Sequence, residues 1–233
     1  MKKIIFLLIP IMMLSCDPAD LQKILDSTGQ LSKQEAALGL KEALNFGVDE
    51  AVDFLSVKDG YYKSIYKVLL PEEARIVTEK LKIVPGFGRV EEVIIEKINR
   101  AAEDAAKSAG PIFVDAIKKM SFQDAMGILT GADNAATDYL NRNTNQALYQ
   151  EFSPVIVNSL NKFNALGYWA DAVNAYNKIP FINKVNPDLG DHVTTTAMDG
   201  LFSLVAVKEK GIRTDVSQRT TALLQKVFKR QDP

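Results

Sequence analysis

Residues 90–106, VEEVIIEKINRAAEDAA, decide the fold class. Val90, Val93, Ile94, Ile98, Ala101, Ala102 and Ala105 recur at the three- and four-residue spacing of one helix face. Charged residues fill the opposite face, and the alanine-rich second half lets a neighbouring helix approach closely. A strand needs alternation of period two, which this stretch lacks. The segment is an amphipathic helix packed on one side.

The same pattern extends in both directions. Ser32 with Glu35 reads as a capping box. It opens a helix whose stripe is Leu40, Leu44, Val48, Val52 and Leu55. Asp59-Gly60-Tyr61-Tyr62 marks a turn, and Ile65 to Leu70 is the one stretch that reads as extended. Pro71 is expected at the first position of the next helix, and Pro85-Gly86-Phe87-Gly88 breaks the chain again. Gly110-Pro111 punctuates before a short helix through Ile112, Phe113, Ala116, Ile117 and Met120. Ser121 with Asp124 forms a second capping box, Gly131 a stop and Asp133 a cap. The helix that follows carries Tyr139, Leu140, Ala147 and Leu148, and Pro154 is expected to kink or end it. Leu166-Gly167-Tyr168-Trp169 and Ile179-Pro180-Phe181 read as aromatic-rich connectors. A helix over roughly Asp191 to Lys210 and a last one ending near Phe228 complete a mainly α, single multi-helix domain.

Ahead of this domain stands a different kind of sequence. Lys2 and Lys3 precede the apolar run Ile4 to Leu14, and the lone cysteine follows in Met13-Leu14-Ser15-Cys16. The run is too short for a transmembrane helix and has the order of a lipoprotein signal peptide. The expectation is cleavage before Cys16 and acylation, including palmitate, at the new terminus. Two or more acyl chains anchor a protein stably. The chain thus divides into a signal peptide at 1–15, a lipidated terminus, spacer and first short helix (Leu21, Ile24, Leu25, Thr28, stopped by Gly29) at 16–30, and a helical domain at 31–230. The expected location is the cell envelope, anchored to the outer or inner membrane and facing the periplasm. Asp17 after the cysteine resembles an inner-membrane retention signal.

Composition narrows the function. The 28 Lys and Arg fall to 26 once Lys2 and Lys3 leave, against 29 Asp and Glu, so the mature chain is mildly acidic. No basic block exists to neutralise phosphates, which argues against a nucleic-acid partner. Acylation of the only cysteine removes any intramolecular disulfide. The mature length of 218 residues is enough to bury a core without one.

Residues 99–106, NRAAEDAA, continue through Pro111-Ile112-Phe113-Val114-Asp115-Ala116-Ile117 and Met120-Ser121-Phe122. Ile128-Leu129-Thr130-Gly131, Ala135-Ala136-Thr137, Ile212-Arg213, Arg219-Thr220 and Val227-Phe228 follow. On these motifs, from about Leu40 to Phe228, the chain resembles the bacterial domain-of-unknown-function family 4197, exported and often lipidated helical proteins. Val216 stands where that family often has proline, which bears on how the last helix begins. The resemblance implies kinship and location and supplies no activity.

Several residues are candidates for chemistry. Glu103, Asp104 and Asp115 lie in the family-like block, and a facing pair of carboxylates suits acid–base work or a hard cation. Pairing of Glu103 with Arg100 or Lys107 on one helix face is the structural alternative. Glu209, Arg213, Asp215 and Arg219 make a charge-dense patch. It reads either as a carboxylate or phosphate site, since arginine forks bind both, or as an internal ion-pair network. Tyr61, Tyr62, Tyr66, Tyr168, Trp169, Tyr176 and Phe181 form either an exposed interface or the closing layer of a core. His192 is the only histidine, too few for a histidine-built metal site, and no serine lies in a Gly-x-Ser-x-Gly context. Residues 130–134 lack the EF-hand series, and 85–88 lack the Gly-Lys-Ser of a phosphate loop.

No cofactor or metal is implied. The expectation is a binding or scaffolding module with an envelope protein partner rather than an enzyme. The alternatives are an envelope hydrolase using a carboxylate pair and a carrier of an apolar ligand.

Overall fold

The helix opened by residue 90 spans Val90–Ala106 in a computed structural model of the chain. It buries Ile94, Ile98, Ala101, Ala102 and Ala105. The structure describes residues 32–162, 164–181 and 189–229. The signal peptide, Cys16 and the helix expected over Leu21 to Thr28 lie outside the described residues.

The described residues form nine α-helices: α1 Lys33–Ser56, α2 Glu72–Leu81, α3 Val90–Ala106, α4 Ala109–Lys119, α5 Phe122–Leu129, α6 Ala135–Lys162, α7 Ala165–Tyr176, α8 Leu189–Thr214 and α9 Ala222–Phe228. A 3-10 turn over Val216–Gln218 precedes the last. No strand occurs among them, and Lys33–Pro233 is a single compact unit. The long helices α6 and α8 lie against each other. Helix α3 packs on α6, while α1 packs on α8 and is flanked by α4, α5 and α9. At the seam of α4 and α8 the rings of Phe113 and Phe202 meet edge-on at 5.6 Å, a favourable aromatic geometry.

The α1 stripe is buried at Leu40, Leu44, Val48 and Leu55. Gly39 lets α9 approach, because a Cβ there would collide with the Val227 side chain. Ser121 opens α5 with a complete capping box, its hydroxyl accepting from Asp124 N while the Asp124 carboxylate accepts from Ser121 N.

The remaining boundaries differ from the sequence expectation for identifiable reasons. Pro71 sits one position before α2 in extended backbone, and the helix begins at Glu72. The break before α4 falls at Lys107-Ser108. Pro111 lies in the first turn of α4, where its missing N–H would have had no partner. Helix α6 starts at Ala135, which puts Asn134 rather than Asp133 at its boundary. It also runs unbroken through Pro154. Pro154 and Gln150, whose carbonyl loses its partner, are both exposed, so water can serve that carbonyl. Phe152 and Ile156, both fully buried, hold the helix on either side.

Residues 166–169 are helical, not a connector. Ala165, Trp169, Ala172, Val173 and Tyr176 form the buried stripe of α7.

The stretch Ile65 to Leu70 is not a strand. It turns through Tyr66 and then continues irregularly. Its backbone partner is a side chain: Asn99 Oδ1 accepts from Val68 N at 2.8 Å, and Asn99 Nδ2 donates to Val68 O at 2.8 Å. A single amide thus imitates one rung of a sheet ladder, without a neighbouring strand.

Candidate functional site

Two ionic clusters and one open groove contain most of the charged candidate residues.

The first cluster grows from α3. Arg100 and Glu103 are three positions apart and therefore face the same way. Arg100 Nη1 meets Glu103 Oε2 at 2.8 Å. The Glu103 carboxylate also accepts from the backbone N–H of Tyr61 and of Tyr62, at 3.3 and 3.2 Å. Arg100 Nη2 reaches Asp59 Oδ1 at 2.8 Å, and its guanidinium lies 5.1 Å from the centre of the Tyr62 ring. Burial works against the Arg100 charge. The hydrogen bonds it donates to Glu103 and Asp59 overcome it and hold the guanidinium above its ordinary range. Arg100, then Lys63, keep the Asp59 carboxyl below the usual carboxylate range.

The cluster explains the turn above it. Asp59 takes a left-handed conformation with φ of 73°. Gly60 follows because a Cβ there would strike the Phe54 and Leu55 carbonyls at the end of α1. Tyr61 is fully buried and its hydroxyl donates to Ala197 O at 2.7 Å. Burial, then the Glu103 charge, push that phenol well above its ordinary value. Tyr62 is half-buried under the ammonium of Lys67, 4.5 Å from its ring centre.

The second cluster joins α5, α6 and α8. Glu209 Oε1 accepts from Ala136 N at 2.9 Å, and Oε2 accepts from Thr137 N and its hydroxyl, each at 2.8 Å. The carboxylate therefore satisfies the first turn of α6, where the helix dipole favours negative charge. Arg213 donates to the same carboxylate at 2.9 Å and to Ile128 O near the end of α5 at 2.9 Å. Arg219 donates to Ile212 O and Arg213 O, both at 2.9 Å, closing the last turn of α8. These arginines are only 4% and 2% exposed, so neither guanidinium is presented to a docking partner. Of the remaining charge in this patch, Asp215 caps the 3-10 turn through Ser217 N. That turn begins at Val216, and α9 follows with Thr221 as its cap.

The open groove lies between α4 and α6. It measures about 500 Å³ and is lined by Asp115, Lys119, Tyr139 and Glu151 among others. Asp115 is 60% exposed and paired with Lys119 at 2.6 Å. Glu103 does not line this groove, so the two carboxylates suspected from sequence are not brought together. Asp104 turns to α6, where Ser159 donates to it at 2.6 Å, and Lys107 pairs with it at 2.9 Å.

The aromatic set divides. Tyr61, Trp169 and Tyr176 belong to the core, whereas Tyr168 and Phe181 are exposed. Tyr168 lies under the ammonium of Lys97 at 4.9 Å. His192 is a half-buried residue in the first turn of α8, with Nε2 2.7 Å from Leu69 O. Among the described residues no group of three or more His, Cys, Asp or Glu is placed to hold a metal ion. No helix among them is long and apolar enough to cross a membrane. The void between α1, α8 and α9 beside Arg213 is about 10 Å³, at most room for one water and far too small for an acyl chain.

Asn99 carries structure that sequence reasoning passed over. The available signal was an amide next to Ile98 within the apolar face of α3.

These features define an all-α domain whose buried ionic groups tie helix ends and a turn together. Residues 30–229 match the family described as "Protein of unknown function (DUF4197)", and the chain belongs to that family. No curated protein matches the chain, and no solved structure matches it.

Proposed function

We propose that the chain is a lipid-anchored protein of the bacterial cell envelope, tethered through Cys16 and facing the periplasm, whose helical domain binds or scaffolds rather than catalyses. Met13-Leu14-Ser15-Cys16 after a lysine-led apolar run supports the anchor.

One observation favours binding over hydrolysis. Glu103 is locked by Arg100 and two backbone N–H groups, while Asp115 stands on a separate, solvent-open groove with Lys119. A carboxylate pair for acid–base work needs two groups converging on one substrate.

Metabolic labelling with a palmitate analogue tests the anchor. The native chain takes up label and Cys16→Ala does not. Equal labelling of both would remove Cys16 from the account. For the domain, Glu103→Gln and Asp115→Asn are assayed side by side in envelope extracts against generic ester, peptide and glycoside substrates. Turnover by the native chain that both substitutions abolish would replace the binding reading with the hydrolase.

A further inference from the structure

The connector between α1 and α2 presents apolar side chains to solvent from a firmly held backbone. Ile65 is 90% exposed, Val57 and Leu69 are each 56% exposed, and Phe54 at the end of α1 is 49% exposed. The backbone beneath them is pinned by several elements. Glu103 takes Tyr61 N and Tyr62 N, Asn99 takes Val68, and Tyr61 O–H reaches Ala197 O on α8. His192 bonds Leu69 O, and the Phe54 ring meets Tyr66 edge-on at 6.4 Å. Val68 and Leu70 are buried on the inner side. These fixings leave the exposed tips no inward site, so the connector holds them outward.

Lysines alternate with these tips. Lys58, Lys63 and Lys67 are all exposed. Lys63 also reaches Asp59 at 3.0 Å, and Lys67 lies over Tyr62. The acids nearby are Asp53, which is exposed, Asp59, held by Arg100, Glu50, paired with Lys208, and Glu91 and Glu92, which share a hollow with Lys67 and are paired with Lys82 and Arg89. Apolar tips interleaved with ammonium groups suit the boundary of a bilayer, where side chains enter the acyl edge and cations meet phosphates.

We propose that the elbow from Phe54 to Leu69 docks the domain on an anionic bilayer surface. This rests on the lipid-anchor reading above, because tethering supplies the high local concentration that makes a small contact sufficient. Residues 17–31 span at most roughly 50 Å when extended, enough to let the domain reach the surface that holds Cys16. Charge selects the bilayer over a second copy of the chain. A two-fold contact through this elbow would bring two surfaces that each carry Lys58, Lys63 and Lys67 together.

The test uses the full acylated chain. Acylation occupies the Cys16 sulfur, so Ile65→Cys supplies the one free thiol for an environment-sensitive fluorophore. Val216→Cys, at a 55% exposed site beyond the far end of α8, is the control. Both are anchored on vesicles of phosphatidylcholine with phosphatidylglycerol, and accessibility to an aqueous quencher is read. The Ile65 probe is expected to become protected while the Val216 probe stays open. Adding Lys58→Gln and Lys67→Gln should lower the docked-to-undocked ratio by about 25-fold, at about fivefold per lysine. An Ile65 probe as open as the control overturns the proposal. So does equal protection on phosphatidylcholine alone, or concentration-dependent protection without vesicles, which would indicate a second copy. Failure of the anchor is separately visible, because an unmodified Cys16 takes up a second fluorophore. A Cys16→Ala chain held at its N-terminus on the same vesicles by a chelating lipid then puts the Ile65 probe to the same criteria.

Discussion

Glu209 and Thr137 stand 72 positions apart, yet the carboxylate of one accepts both the backbone N–H and the hydroxyl of the other at 2.8 Å. The start of α6 is therefore capped by a side chain from α8, and Arg213 fixes the same carboxylate to the end of α5. The termini of two other helices are held by one ion pair that is almost fully buried.

Removing one partner of that pair strands the other charge in the core. Glu209→Ala is expected to destabilise the domain by about 3–5 kcal/mol in denaturant unfolding. Replacing both residues, Glu209→Met with Arg213→Met, should cost less than the sum of the single changes. Additive costs would mean that the two groups are held independently.

Asn99 stabilises the 66–70 segment through both polar atoms of Val68. Asn99→Leu keeps the size of the side chain and leaves two buried backbone groups without a partner. The expected loss is about 2–4 kcal/mol, together with faster amide exchange at Val68. A loss below about 0.5 kcal/mol would mean that water replaces the amide freely.

Pro154 occupies the exposed side of a continuous helix. Pro154→Ala restores a donor to Gln150 O and removes the ring clash, so stability should rise by about 1–3 kcal/mol. A fall in melting temperature would show that Pro154 carries a packing role.

Stability should fall at both ends of the pH scale. Ser159, then Lys107, hold Asp104 below the usual carboxylate range, and Arg100, then Lys63, do so for Asp59. Their folded forms release protons at lower pH than the unfolded chain. The stabilisation is present above a pH of about 4 and is lost as pH falls through the folded values. Tyr61 behaves oppositely, because burial raises its phenol. The native state keeps a proton that the unfolded chain loses above about pH 10, so stability declines beyond that point. Thermal melts across pH should show both limbs, with Asp104→Asn weakening the acid limb and Tyr61→Phe the alkaline one.

The sequence revealed local features and missed those made across the fold. The α3 stripe and the Ser121–Asp124 box depend only on residues within one turn or one face, so spacing alone exposed them. Pairing of Arg100 with Glu103 was visible for the same reason. The partner of Glu209 lies at the start of another helix, and no spacing rule links positions 209 and 137. Residues 166–169 misled because aromatic clustering resembles a connector, whereas Trp169 joins Ala165, Ala172, Val173 and Tyr176 in the buried stripe of a helix that packs on α2 and α3. Pro154 misled because its effect depends on whether the freed carbonyl meets water, which follows from tertiary packing.

The most direct test is the intact mass of the chain purified from its own envelope, with fragmentation of its N-terminal peptide. The account predicts a chain beginning at Cys16 that carries acyl mass on that residue. A chain that retains Met1, or one with an unmodified Cys16 thiol, would contradict it.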